Sequence, residues 1–73
     1  MSDSLSRILA RNVRRTRERL SISQDELAAR AKLHRTYIGG IERGERNITL
    51  SSLEKVAKAL NVSALSLLDD ADG

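Results

Sequence analysis

Apolar residues recur along this chain at three- and four-residue spacing in five separate stretches, with polar residues filling the intervals. That period is helical, not the alternation of a strand. Leu5, Ile8, Leu9, Val13, Thr16 and Leu20 predict a first helix from about Leu5 to Leu20, with Ser4 as N-cap. A second opens at Ser23-Gln24-Asp25-Glu26. There Ser23 and Glu26 form a capping-box pattern, each able to satisfy the other's free backbone N–H, and Leu27, Ala28 and Ala31 supply the buried face. After a break at Lys32-Leu33 a third runs from His34 to about Arg43, with Ile38 and Ile41 inward and Gly44 as the left-handed residue past its end. A fourth runs from near Thr49 to Asn61 on the stripe Leu50, Leu53, Val56, Ala57 and Leu60. The fifth is one or two turns, capped by Ser63 and carrying Leu65, Leu67 and Leu68. The expectation is an all-α, compact five-helix domain spanning residues 1–73, with its core at about 5–68.

Composition narrows this picture. A chain of 73 residues buries only about 60% of its unfolded surface, which is marginal for folding alone and favours two copies sharing an apolar patch. Tyr37 is the sole aromatic residue, so the core must be aliphatic, and short helices with short connections mean low contact order. With no cysteine there is no disulfide and no thiolate metal site. No run of about 18 apolar residues exists to span a membrane, and Met1-Ser2-Asp3-Ser4 lacks the order of a secretion signal. Cytoplasmic residence follows as an expectation.

Charge is unevenly placed. Residues 7–46 hold eleven of the thirteen Lys and Arg against five acids, a net +6, while residues 47–73 are net −2. Ten of the thirteen cations are Arg, whose planar fork suits bidentate contact with phosphate and guanine. A basic front with an acidic back favours a polyanion partner over a merely solvated surface.

The stretch Ser23-Gln-Asp-Glu-Leu-Ala-Ala-Arg-Ala-Lys-Leu-His-Arg-Thr-Tyr-Ile-Gly-Gly-Ile-Glu42 resembles the helix-turn-helix of phage lambda repressor and Cro-type regulators. Gln24, Leu27, Ala28, Leu33, Ile38 and Ile41 fall where that family places its opening Gln and its packing residues. Leu50 to Leu60 looks like the family's fourth helix, and the likeness covers about residues 8–68. Within the family, the block His34 to Asn47 is similar to the controller proteins of restriction–modification systems. One departure is Lys32, where the family often has Gly; a left-handed Lys there would cost roughly 1 kcal/mol.

The resemblance implies a lambda-repressor-like fold with the helix-turn-helix at helices 2 and 3. The second helix of such a motif enters the major groove with its N-terminal residues leading. Arg35 can then bond guanine O6 and N7 together, Thr36 can offer a hydroxyl or methyl, and Tyr37 can reach a base or phosphate. Arg46 can act from the following loop, on a base or a phosphate. Gln24, His34, Arg43 and Asn47 stand as phosphate contacts, which fix register without reading sequence. By resemblance, Arg17 pairs with Glu42, locking the recognition helix and turning Arg17 toward phosphate. Gly39 and Gly40 admit two readings, close approach to DNA or close helix packing. Because Gly40 carries no side chain where the family often reads a base, readout must concentrate at Arg35, Thr36 or the loop.

The last segment is too short to bury three leucines. Leu65, Leu67 and Leu68, joined by Ile48, are therefore read as a dimer interface at about residues 62–69, the alternative being that they complete the monomer's core. Twofold pairing there would hold two recognition helices about 34 Å apart on a roughly palindromic double-stranded site. The reading is a homodimeric DNA-binding transcription regulator, controller-like, acting on its own and an endonuclease gene. A phage-type repressor is an alternative. An antitoxin would need a long toxin-wrapping tail, and only Asp69 to Gly73 follow the fifth helix. One His, no Cys and no paired buried carboxylates leave nothing for an enzyme. No cofactor, metal, membrane contact or small-molecule ligand is expected.

Overall fold

The computed structural model describes residues 4–45 and 47–70, and among these all regular structure is helical. The helices are α1 (Ser4–Arg19), α2 (Gln24–Ala31), α3 (Arg35–Glu42), α4 (Leu50–Leu60) and α5 (Ala64–Leu67). None of these is long and apolar enough to cross a membrane.

Local chemistry explains where the helices start. Ser23, Thr49 and Ser63 have extended backbones, and their hydroxyls accept from the N–H groups of Glu26, Ser52 and Ser66 at 3.0, 3.0 and 3.1 Å. Each such cap contributes about 1 kcal/mol. The expected reciprocal bond of the capping box is replaced by another: the Glu26 carboxylate accepts from Arg30 Nε, one turn along, at 2.8 Å.

Four helices end alike. Ser21, Lys32, Gly44 and Asn61 take φ of 59°, 58°, 73° and 60°. The residue after each donates its N–H five residues back: Ile22 to Arg17, Leu33 to Ala28, Glu45 to Gly40 and Val62 to Ala57, at 3.3, 2.9, 2.9 and 3.0 Å. This closure satisfies orphan carbonyls and reverses the chain. In three of the four cases the residue after the turn is apolar, and Ile22, Leu33 and Val62 all pack on the core. Lys32 therefore carries the cost of a left-handed non-glycine residue, and the turn itself is regular.

Leu9 and Val13 of α1, Leu27 and Ala28 of α2, Ile38 and Ile41 of α3, four residues of α4 and Leu67 of α5 form one buried cluster. α2 packs against both α3 and α4, while α1 lies against α3, α4 and α5. Some expectations fail at helix ends. Leu5, Leu20 and Leu50, placed on apolar stripes, are 59%, 43% and 80% exposed, because each sits at an end of its helix, where the neighbouring helices do not cover it. Leu67, read as interface, is 1% exposed and belongs to the core. Asn12, a polar residue, is buried between α1 and the end of α5. Its Nδ2 donates to the carbonyls of Leu67 and Asp69 at 2.9 and 3.0 Å, binding the end of α5 to α1.

Candidate nucleic-acid interface

The recognition helix is fastened by one polar cluster. Glu42 ends α3, and its carboxylate accepts from Arg17 Nε at 2.7 Å, from Arg17 Nη2 at 3.0 Å and from Gln24 Nε2 at 3.0 Å. Arg17 Nη1 donates to the Ile22 carbonyl at 2.9 Å. The cluster thus joins α1, the α1–α2 turn, the first residue of α2 and the last of α3. The Arg17 and Glu42 side chains are only 13% and 4% exposed. The hydrogen bond from Glu42 raises the Arg17 pKa above its ordinary value; burial opposes this, and the charges of Glu42 and Glu18 add to it.

The expected Arg17–Glu42 pair is present, and each of Arg17's three nitrogens donates to a protein acceptor; two of the guanidinium's five N–H groups, one on each terminal nitrogen, are left over. Gln24 likewise has its amide nitrogen held by Glu42. At the N-terminus of α2 its backbone remains suited to an anion through the free N–H groups and dipole there.

The N-terminal end of α3 is open. His34 is the N-cap by position, with extended backbone, but its ring makes no capping bond. His34, Arg35 and Thr36 are exposed, and so are Arg43 and Asn47 beyond the far end. Tyr37 is half-buried and packs against the core, leaving part of its ring accessible. Arg46, expected to act from the loop, lies outside the described residues. Two acids escaped the sequence reading as partners of this face. Asp25 Oδ1 lies 3.2 Å from Arg35 Nε, and Glu45 Oε1 lies 3.0 Å from Arg43 Nε. Asp25 and Arg35 belong to different helices, so no periodicity within either could reveal their meeting.

Both glycines of α3 are buried. A Cβ at Gly39 would stand 3.0 Å from Arg43 Nη1 and 3.9 Å from Gln24 Oε1. The neighbours there are the protein's own Arg43 and Gln24 side chains, lying over bare backbone.

Of the residues expected at a dimer surface, Leu65 is 81% exposed, while Ile48 and Leu68 are half-buried. Ile48 and Leu68 line an apolar groove with Leu5, Leu9, Leu50 and Leu53.

Comparison with known proteins agrees with this geometry. The Helix-turn-helix family profile matches residues 13–67. The control protein C.SmaI of Serratia marcescens is 55% identical over 64 residues, covering 88% of this chain and 76% of that protein. The hypothetical transcription factor NHTF from Neisseria superposes with a TM-score of 0.91 at 42% identity, over 99% of this chain and 83% of that one. The restriction–modification controller protein C.Esp1396I, solved as a tetramer with its natural 35-base-pair operator, gives 0.81 at 38% identity over 88% and 84% of the two chains. With its fold, its fastened recognition helix and these likenesses taken together, the chain belongs to the helix-turn-helix family of the lambda-repressor and Cro type and is similar to the controller proteins of restriction–modification systems.

Proposed function

We propose that this protein is a cytoplasmic transcription regulator that binds a roughly palindromic operator as a homodimer and controls its own gene and that of a restriction endonuclease. The observation that carries the reading is the open N-terminal end of α3, where Arg35 and Thr36 are exposed while Glu42, at the other end, is fastened to α1 and α2. A rigid helix presenting donor-bearing side chains at its open end is what major-groove readout requires. Arg35, Thr36, Tyr37 and Arg46 are the base contacts of this reading, with Arg17, Gln24, His34, Arg43 and Asn47 on phosphates. Likeness to control proteins, one of them solved on operator DNA, supports the regulatory role. For the dimer, support comes from exposed Leu65 and from the groove holding Ile48, Leu50 and Leu68, because burying a leucine stabilises by about 1.5–3 kcal/mol.

The test is footprinting on the DNA upstream of the protein's own gene. The expected result is protection of two related half-sites about 10–10.5 base pairs apart, centre to centre, or a multiple of that spacing. Absence of any protected segment, with the protein folded and in excess, would remove the operator reading.

A further inference from the structure

We infer that Asp25 is a specificity determinant of the recognition helix, holding Arg35 for a base and withholding it from phosphates. The inference rests on the reading of Arg35 as a base contact. Among the described residues, three exposed ion pairs are local, while Arg11–Asp70 ties α1 to the end of the chain away from the motif. Arg14–Glu18 and Arg30–Glu26 are four residues apart on one helix, and Arg43–Glu45 are two apart. Asp25–Arg35 differs: it joins the first turn of α2 to the first residue of α3, at the open end of the motif.

The contact geometry gives the pair its consequence. Asp25 Oδ1 meets Arg35 at Nε, 3.2 Å away. A guanidinium has five N–H donors in a fixed fork, and Nε carries one of them. Asp25 stands on the Nε side as an ion-pair partner, without a directed hydrogen bond, so the two terminal nitrogens remain as a matched pair for guanine O6 and N7. Arg35 can therefore read a base without leaving Asp25. Swinging out to a phosphate on a wrong sequence means breaking the pair and bringing a bare carboxylate toward a polyanion. Asp25 thus penalises non-cognate binding and leaves cognate binding largely untouched. Both side chains are more than half exposed, so the effect is small: pairs of this kind account for no more than about a fivefold change in an equilibrium.

The experiment measures fluorescence anisotropy of the full chain on its footprinted duplex and on a scrambled duplex of equal composition. It compares the parent with Asp25→Asn, Arg35→Ala and the double variant. Asp25→Asn is expected to tighten the scrambled duplex by about two- to fivefold more than the operator. In the Arg35→Ala background the same change should alter both duplexes by one common factor, since only the lost charge remains. Asp25→Glu, which keeps the carboxylate, should restore discrimination. Glu45→Gln, which frees a phosphate-contacting arginine, should tighten both duplexes alike. If Asp25→Asn shifts operator and scrambled duplex equally with Arg35 present, Asp25 contributes only bulk charge or helix-end stabilisation and the inference is overturned. Should Arg35→Ala itself weaken both duplexes equally, the base-contact reading of Arg35 falls instead, and this comparison reads it separately.

Discussion

Removing Glu42 should cost this protein a substantial share of its stability. In Glu42→Ala, Arg17 loses the acceptor of its Nε and Nη2, and Gln24 loses that of its Nε2, contacts of 2.7, 3.0 and 3.0 Å. The guanidinium is left with one partner, the Ile22 carbonyl, in a place where its side chain is only 13% exposed. Breaking one side of a buried pair costs about 3–5 kcal/mol, and the slight exposure of Arg17 puts the expectation near 3 kcal/mol. Typical stability per residue gives a 73-residue chain roughly 4–11 kcal/mol in all. The melting temperature should drop by about 12–24 °C, at 4–8 °C per kcal/mol for a domain this size. Replacing both partners, Arg17→Met with Glu42→Leu, should recover most of the loss, because the stranded charge is gone. The pH dependence has a definite sign. The folded Arg17 pKa is raised, so its contribution is complete below the unfolded value and is lost only as pH climbs through the folded one, in the strongly alkaline range. Arg17 therefore adds no pH dependence between about pH 6 and 9. Chemical denaturation of the two singles and the double gives the coupling directly. A single-variant loss below about 1 kcal/mol, the range of exposed pairs, would refute the idea that this cluster fastens α3.

Further outcomes follow from the same geometry. Gly39→Ala should raise stability by up to about 1 kcal/mol, since it removes a helix-interior glycine and displaces only the flexible end of Arg43; a lower melting temperature would show that bare backbone is required for packing. Arg35→Ala should cost about 1–3 kcal/mol on the operator and much less on random DNA, whereas Arg43→Ala should weaken both nearly equally, as gel-shift titration on the two duplexes can decide. Leu65→Glu, at an 81% exposed position, should leave a folded monomer with weakened operator binding, whereas Leu67→Glu, at a 1% exposed position, should unfold the chain; sedimentation showing an intact Leu65→Glu dimer would count against that surface. The logarithm of operator affinity should fall with the logarithm of salt concentration, with a slope near −0.9 per phosphate neutralised; a flat response in anisotropy titrations would contradict the phosphate contacts.

Helix limits were legible in the chain itself because they are set by residues only a few positions apart. Ser23, Thr49 and Ser63 start helices by bonding three residues ahead, and Gly44 and Asn61 stop them by admitting a left-handed turn. The interior faces of α2, α3 and most of α4 were readable for a similar reason, since helical period places every third or fourth residue on one side. Likeness to a known family further pointed to Arg35 and Thr36 and to the Arg17–Glu42 pair, which local pattern alone does not give. What only the tertiary structure decided concerns groups brought together from different helices. Periodicity says that Leu5, Leu50, Leu65 and Leu67 lie on apolar faces, but not which of them another helix covers; only Leu67 is covered. Nor does it say that Arg17 directs its donors inward, that Arg43 lies over Gly39, or that Asp25 reaches Arg35 across the turn. Spacing along one helix fixes directions about that helix's axis, whereas burial and ion pairing depend on how the axes cross, and that is settled by the packing of the whole core.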